Sequence, residues 1–311
     1  MRRLLLAFAW MLIAAPAASG AASGPCVIGT ASPVCHLVTG KVTFVADGDT
    51  LDVDLDGDGR GARRTRIIGV QAMELTRYSK YAARRRGECH GVAAANRLDR
   101  MVRAAGRRAR VASMASDPRT GKRLYRSIAL RIGGRWVDVG ATLLAEGHAL
   151  WFPHHAEWAW NASYSELAQR AAAAGRRLWE TDSCKAGPAQ SAGLRVEVNW
   201  DADGDDAQNV NGEWFDVLNP SAQDVPLGGW WVRDSHLRRF TFPAGAIVGA
   251  GRRVRVHVGR GTADAAEYFW GLPAPAFENP AGAPGLGDGG YLFDPDGDLR
   301  AWDVYPCRVG C

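Results

Sequence analysis

Cys-x-x-Cys pairs are absent from this sequence, although it contains six cysteines. Their absence argues against the commonest kind of structural zinc site. Lysine is scarce as well, and nearly all of the 38 cationic side chains are arginines. We therefore draw conclusions from the positive charge itself and none from the use of arginine in place of lysine. With 23% charged and 47% hydrophobic residues, the composition excludes a disordered chain and is typical of a globular one.

The apolar run that begins at Leu4 is shorter than the roughly 20 residues that a membrane-spanning helix needs. Two arginines precede this run, and small residues follow it from Ala17 to Ser23. This is the pattern of a secretory signal peptide, which we assign to residues 1–22. We expect a secreted, extracellular protein that has no transmembrane anchor once the signal is removed.

The even number of cysteines agrees with export to an oxidising compartment. The sequence allows many pairings and does not choose among them. We expect two disulfides that close short loops and one that ties two helices together. The expected pairs are Cys26–Cys35, Cys307–Cys311 and Cys89–Cys184.

Length and charge both divide the chain into two domains. A chain of 311 residues is long for a single small domain. Residues 27–185 carry 26 Lys and Arg against 16 Asp and Glu, whereas residues 186–311 carry 10 against 17. The net charge of +10 in the first part suits a polyanion, and the net charge of −7 in the second does not. A Pro/Gly/Ala-rich stretch at residues 183–193 is the expected linker.

Charged side chains share strand faces with apolar ones in the first domain. Period-2 alternation places Asp49 with the apolar residues of one predicted strand and Arg66 with those of the next. Arg126 occupies the same kind of position in a later strand. Charges on an apolar face must pair, bind a ligand or lie at the open end of a barrel.

The order of these residues resembles the staphylococcal-nuclease (thermonuclease) family over residues 40–182. The resemblance rests on the Asp-Gly-Asp-Thr that begins at Asp47, on Arg66 with the apolar-Gly-apolar run after it, on Glu74 eight residues beyond Arg66, and on Arg126. It implies an α+β fold, a five-stranded barrel of the oligonucleotide-binding (OB-fold) type with three helices packed beneath it. Helical periodicity at residues 88–105, 139–146 and 163–179 predicts those helices.

The resemblance also implies roles in the hydrolysis of phosphodiester bonds. Glu74 is the expected general base, or a group that orients the attacking water. Arg66 and Arg126 are expected to clamp the phosphate oxygens, because a planar guanidinium binds such oxygens in pairs. The same charged residues also fit a structural ion-pair network at the end of a barrel, and that alternative stays open.

Calcium is the cofactor that the resemblance implies, with Asp49, Gln71 and Ala72 as the expected ligands. Gln71 departs from the family pattern, which usually has Asp as a second carboxylate ligand here. One negative charge is lost, so we expect a weakened calcium site. Three nearby carboxylates offer compensation: Asp47, Asp52 and Asp54.

A basic stretch with two tyrosines follows Glu74 and offers cations for phosphates and rings for stacked bases. A solvated loop is the alternative interpretation. His154 and His155, in a Trp-rich loop, are expected to serve packing rather than metal binding. The candidate nucleic-acid-binding residues are Arg77, Tyr78, Lys80 and Arg123.

Residues 194–304 are expected to form an all-β immunoglobulin-like sandwich, because short alternating strands are separated by Gly, Pro and Asp turns. Two sequence motifs in this part are similar to those of the lamin-tail domain. They are the Asn-Gly-Glu-Trp-Phe-Asp that begins at Asn211 and the Leu-Gly-Gly-Trp-Trp-Val that begins at Leu227. Such domains generally act as binding modules or as spacers between other domains. The ligand of this one is unknown, and a cell surface is one candidate.

The expected function is therefore that of a secreted, Ca²⁺-assisted endonuclease that cleaves DNA with little preference for sequence, with RNA as a further candidate substrate. One alternative is a catalytically weakened nucleic-acid-binding barrel that carries a surface-binding sandwich. Another is an adhesin whose main function lies in the sandwich. The two arginines and Glu74 favour the enzyme, and Gln71 counts against it.

Overall fold

The structure is a computed structural model that describes residues 22–55, 59, 61–75, 88–181 and 193–311. Several expectations lie outside the described residues. These are the signal peptide up to residue 21, the nucleic-acid-binding candidates Arg77, Tyr78 and Lys80, the cysteine Cys184, and the linker up to residue 192.

In its described residues, the first domain has ten strands and three α-helices. In chain order, the strands are β1 (Ala22–Pro25), β2 (Val34–Val45), β3 (Thr50–Asp54), β4 (Arg63–Ile67), β5 (Val70–Ala72), β6 (Arg108–Ser113), β7 (Arg119–Thr120), β8 (Arg123–Ile132), β9 (Arg135–Asp138) and β10 (Ala149–Trp151). The helices are α1 (Gly91–Ala104), α2 (Val139–Ala145) and α3 (Asn161–Ala173).

Five of these strands close a barrel in the order β2-β3-β4-β8-β6, because β6 pairs again with β2. The β4–β8 pair is parallel and the other four pairs are antiparallel. The expected five-stranded barrel with three helices is thus confirmed. Its interior and the helices share one apolar core, which includes Leu51, Ile67, Leu98, Leu130 and Leu144.

The helix boundaries differ from the expected ones where the backbone turns. The third helix was expected to reach Trp179 but ends at Ala173, because Gly175 adopts a left-handed conformation with φ of 57°. In α1 the buried stripe includes Ala94 and Ala95. Helical periodicity in the sequence also predicts Val92 on that stripe, but Val92 is 51% exposed, so this prediction was wrong.

Two of the three expected disulfides are confirmed. Cys26 is joined to Cys35, next to the β1–β2 hairpin, and Cys307 is joined to Cys311 at the end of the chain. Cys89 is disulfide-bonded as well. Its expected partner Cys184 lies outside the described residues.

The second domain contains two four-stranded sheets. Its strands are β11 (Arg195–Asn199), β12 (Trp214–Leu218), β13 (Val225–Pro226), β14 (Trp231–Arg233), β15 (Arg239–Thr241), β16 (Ile247–Val248), β17 (Arg253–His257), β18 (Glu267–Phe269), β19 (Asp288–Phe293) and β20 (Leu299–Tyr305). One sheet has the order β11-β12-β17-β18 and the other the order β15-β14-β19-β20. The expected β-rich second domain is therefore confirmed.

The β15-β14-β19-β20 sheet is packed on both faces. Val232 and Leu292 point into the core that the two sheets share. Their neighbours Trp231, Tyr291 and Phe293 point the other way and join the core of the first domain. The ring of Trp179, at the end of the first domain, lies 6.2 Å from the ring of Tyr291, measured between centroids. The two domains therefore share an apolar interface.

No helix in the described part of the chain is both long enough and apolar enough to cross a membrane.

Candidate active site

The turn between β2 and β3 brings Asp49 to the mouth of the barrel. The side chain of Asp47 accepts a hydrogen bond from the backbone nitrogen of Asp49 at 3.1 Å, which holds the turn. Gly48 is required for packing, since a Cβ there would lie 2.6 Å from the Cβ atoms of both Ala72 and Ala94. The turn is thus wedged between β5 and α1, and Asp49 is buried.

Asp49 and Arg66 form a buried ion pair. The Nη1 atom of Arg66 lies 3.0 Å from Oδ1 of Asp49, and both side chains are less than a tenth exposed. The β3–β4 pairing aligns Thr50 with Arg66, which fixes this proximity. The hydroxyl of Thr50 and the backbone nitrogen of Ala72 donate further hydrogen bonds to Asp49, each at 2.8 Å. A buried pair with these extra bonds is the arrangement that offsets the cost of removing two charges from water.

Gln71 links this pair to Glu74. Its Oε1 atom accepts a hydrogen bond from Nη2 of Arg66. Its Nε2 atom donates to the backbone oxygen of Ala72 at 2.8 Å and to Oε1 of Glu74 at 3.4 Å. The strand β5, which pairs with β10, holds Gln71 in place.

Glu74 is exposed at the end of this chain of contacts. Partial burial and, to a smaller extent, the negative charge of Asp49 raise the pKa of Glu74, while the charge of Arg66 opposes the rise. Two hydrogen bonds with Glu88 fix the backbone of Glu74. The backbone nitrogen of Glu74 donates to the carboxylate of Glu88 at 2.9 Å, and the backbone nitrogen of Glu88 donates to the backbone oxygen of Glu74 at 2.8 Å. Glu74 and Glu88 are therefore held side by side at the mouth of the barrel.

Asp47 is a second carboxylate with an altered pKa at this mouth. Burial, and then the charge of Asp49, raise the pKa of Asp47 to about 6. The other two compensating carboxylates face elsewhere. Asp52 pairs with Arg64, and Asp54 accepts a hydrogen bond from the nitrogen of Gly59 at 2.8 Å.

Arg126 does not join Arg66 as a clamp. The parallel register of β4 and β8 pairs Arg66 with Tyr125, so the side chain of the next residue, Arg126, leaves the other face of the sheet. Its guanidinium donates to the backbone oxygens of Pro118 at 2.9 Å and of Tyr125 at 3.0 Å, and contacts Asp117 at 3.2 Å. The expected double clamp is therefore corrected to a single arginine, because strand register cannot be read from one strand alone.

The expected calcium ligands do not fit a calcium ion as they are arranged. Calcium binds about six to eight oxygen atoms. Both oxygens of Asp49 accept hydrogen bonds from protein groups, Oε1 of Gln71 accepts from Arg66, and the oxygen of Ala72 accepts from Gln71. The side-chain amide of Gln71 is thus hydrogen-bonded to Arg66 and Ala72, and it offers no negative charge to a cation.

Two further groups of potential metal ligands occur in the described residues. In the second domain, Asp234 and Asp288 lie near His236; Asp234 pairs with Arg238 at 2.6 Å, and Asp288 accepts a hydrogen bond from the backbone nitrogen of Ser235 at 2.9 Å. Cys89 lies near His90 and Asp298, but a cysteine in a disulfide offers no thiolate. The Nδ1 atom of His154 accepts hydrogen bonds from the backbone nitrogens of Ala156 at 3.1 Å and Glu157 at 3.2 Å.

Two residues at the mouth of the barrel, Phe152 and Tyr125, were not predicted from the sequence. The ring of Phe152 lies 5.7 Å from the guanidinium carbon of Arg66, and its backbone nitrogen donates to Gly69. The hydroxyl of Tyr125 accepts a hydrogen bond from the nitrogen of Gly69 at 3.1 Å. No sequence signal marks them, since both belong to ordinary apolar segments. Arg123, the remaining nucleic-acid-binding candidate, is half-buried at the start of β8 and pairs in register with the β7 hairpin.

Comparison with known proteins identifies the second domain. Residues 189–306 match the family model of the Lamin Tail Domain. This match confirms the resemblance that the second half of the sequence shows, and it includes both sheets of the lamin tail region. None of the curated proteins matches the chain.

Proposed function

We propose that the protein is a secreted nuclease that hydrolyses phosphodiester bonds in DNA and RNA with little sequence preference. The observation that supports this most is the position of Glu74. This exposed carboxylate lies at the mouth of a five-stranded barrel and is connected through Gln71 to the buried Arg66. The net charge of +10 in residues 27–185 suits a polyanionic substrate.

Glu74 is suited to act as the general base. A base works best when its pKa approaches the working pH, and the pKa of Glu74 is raised from its ordinary value. The amide of Gln71 holds one carboxylate oxygen and so orients the group. Glu74 can therefore take a proton from a water molecule that attacks the phosphorus atom.

Arg66 supplies positive charge where negative charge develops on the phosphate. Its guanidinium is held by Asp49, by Gln71 and by the backbone oxygen of Val70 at 3.1 Å. A fixed charge in a site with little water acts more strongly than the same charge in solution. The Asp49 carboxylate keeps Arg66 in this orientation.

Secretion is part of the proposal. The two disulfides seen here are typical of proteins from oxidising compartments. The basic, apolar and small-residue segments at the start of the chain support the same compartment.

The test is digestion of single-stranded DNA, double-stranded DNA and RNA by the full-length mature protein, beside Glu74→Gln. We expect cleavage by the parent and a loss of about 10²–10⁴-fold in kcat for the variant, which is the usual contribution of a general base. Glu166→Gln is the matched control. Glu166 is an exposed glutamate that pairs with Arg170 on α3, and its substitution should leave cleavage unchanged.

A second candidate is favoured by one observation. Gln71 stands where the resemblance implies a carboxylate, and its amide is hydrogen-bonded to Arg66, Ala72 and Glu74. A barrel of this kind can bind nucleic acid without cleaving it. Binding without cleavage by the parent protein, in EDTA and in a series of divalent cations, would establish this candidate and refute the nuclease.

A further inference from the structure

One loop of the lamin tail domain lies beside the candidate active site. The ring of His236 lies 4.8 Å from the ring of Phe152, measured between centroids. Phe152 in turn lies 5.7 Å from the guanidinium carbon of Arg66. The segment at residues 233–239, which we call the seam loop, therefore continues the surface on which Glu74 is exposed.

The seam loop collects positive charge in a domain that is otherwise acidic. Residues 186–311 contain 10 Lys and Arg, and the loop contains three of them within seven residues: Arg233, Arg238 and Arg239. Arg238 pairs with Asp234 at 2.6 Å. In the described part of the chain, neither Arg233 nor Arg239 forms an ion pair with a carboxylate. Among the described residues, these two guanidiniums at the domain interface therefore lack the acidic partners that Arg253, Arg255 and Arg300 have.

Arg239 has the geometry of a phosphate-binding residue. It is exposed, and its guanidinium carbon lies 4.0 Å above the ring of Trp231. That ring is stacked on Phe293 with centroids 4.1 Å apart, so the platform under Arg239 is rigid. The Nε atom of Arg239 donates to the hydroxyl of Thr241 at 3.3 Å, and a stacked guanidinium keeps its other edge donors available for an anion.

Arg233 and Arg239 lie within electrostatic reach of the site. The carboxylate of Glu88, which binds the backbone of Glu74, acts on both guanidiniums and partly offsets the lowering of their pKa by burial. The charge of Arg66 adds to the lowering of the pKa of Arg233. These mutual effects agree with the contact through Phe152.

The seam loop is also held firmly. Asp234 accepts from the backbone nitrogen of Arg238 at 2.8 Å, and Asp288 accepts from the nitrogen of Ser235 at 2.9 Å. Leu237, at the tip of the loop, is 44% exposed and has a φ of 73°. A non-glycine residue in this conformation is kept there only when its surroundings impose it. A loop built in this way presents its side chains in one arrangement.

The geometry points to the seam loop as part of the nucleic-acid-binding surface, with Arg239 as a contact for a substrate phosphate. The lamin tail domain then completes the substrate path that begins at the barrel mouth. This inference rests on the proposed function for its substrate class, single-stranded or unwound nucleic acid.

The test is the affinity of the full-length mature chain for a fluorescein-labelled single-stranded oligonucleotide, measured by fluorescence anisotropy over a salt series. The Glu74→Gln background prevents cleavage during the measurement. Arg239→Gln should weaken binding about 5–10-fold at low salt. It should also reduce the slope of log affinity against log salt by about 0.7, the value for one phosphate contact on a single strand. Arg239→Lys should keep the slope, because it keeps the charge.

Arg253→Gln is the control. Arg253 is an exposed arginine in the opposite sheet, and its partners are Asp216 and Glu267. Its substitution should leave both affinity and slope unchanged. Unchanged or tighter binding by Arg239→Gln would overturn the inference, and tighter binding would identify the seam loop as a cover. Cleavage is assayed separately, with the parent protein. If Arg239→Gln binds as well as its parent and the parent protein still cleaves, the proposed nuclease stands and only this inference fails. If binding depends on Arg239 and the parent protein does not cleave, only the nuclease is refuted.

Discussion

The two domains both bury charged residues, but they use them differently. In the lamin tail domain the buried carboxylates are bound within the domain: Asp294 pairs with Arg300, and Glu213 accepts from the backbone nitrogens of Ala276 and Phe277. At the barrel mouth the buried pair of Asp49 and Arg66 leads through Gln71 to an exposed carboxylate. A buried charge is therefore no sign of function by itself. What distinguishes the mouth is that its network ends on a group that is exposed to solvent, Glu74.

The largest effect is expected from the loss of Asp49. Asp49→Asn leaves the buried Arg66 without its countercharge, and breaking a buried ion pair costs about 3–5 kcal/mol of unfolding free energy. Cleavage should fall at least as far as in Glu74→Gln, because Arg66 also loses its orientation. Unfolding in urea and the kcat of the folded protein measure the two effects.

Asp294→Asn is the comparison for this prediction. Asp294 and Arg300 are also a buried pair, with Nε of the arginine 2.7 Å from Oδ2 of the aspartate. The loss of stability should be similar, and the kcat of the folded fraction should not change. Equal losses of kcat in the two variants would contradict the difference that we draw between the domains.

Gly48→Ala should disrupt the mouth through packing alone. The added methyl group would lie 2.6 Å from two other Cβ atoms, so the Asp47–Thr50 turn must shift. Overpacking of this kind costs about 1–3 kcal/mol, and displacement of Asp49 should also lower kcat. Gly245→Ala in the lamin tail domain is the control, because no atom lies within 4 Å of its added Cβ. Thermal unfolding of both variants checks the prediction, which a stable and active Gly48→Ala would refute.

Gln71→Asp should change the dependence on metal. The substitution places a second carboxylate beside Asp49 and removes the amide that occupies Arg66 and Ala72. Calcium prefers carboxylate oxygens, so cleavage by the variant should rise several-fold with added Ca²⁺. The parent should respond less. Initial rates in EDTA and in a Ca²⁺ series measure this, and an identical response in parent and variant would count against a role for residue 71 in metal preference.

Local patterns in the sequence were sufficient to predict the secondary-structure elements, but not to predict how those elements pack and pair with one another. Alternation and helical periodicity predicted strands and three helices, and the family resemblance predicted that the strands close into a barrel. The confirmed disulfides, Cys26–Cys35 and Cys307–Cys311, were expected pairings among several that the sequence allows. The family resemblance singled out Asp49, Arg66 and Glu74 before their contacts were known. The position of Arg126 was not predictable, because it depends on a one-residue offset in the register between β4 and β8.

The domain interface was beyond sequence reasoning for a similar reason. Trp231, Val232 and Arg233 belong to a strand that is buried on both faces, and such a strand shows no alternation of apolar and polar residues. The pattern indicates burial without saying what covers the second face. The contact of His236 with Phe152 joins residues 84 positions apart in the chain, and only the folded structure brings them together.

The smallest effect is expected from the pH dependence of stability at the mouth. The pKa of Asp47 is about 6 in the folded protein, against an ordinary value of 3.8, so the folded state binds this proton more tightly than the unfolded state. Its contribution to stability is therefore fully present below pH 3.8 and is lost as the pH rises through 6. Asp47→Asn should flatten the fall in unfolding free energy over this interval, as measured by urea unfolding at a series of pH values. Asp224→Asn, at an aspartate that caps a loop of the lamin tail domain, should leave the slope unchanged. A slope that Asp47→Asn does not alter would show that Asp47 ionises as freely as a surface carboxylate, and the mouth would then differ from the lamin tail domain in Glu74 alone.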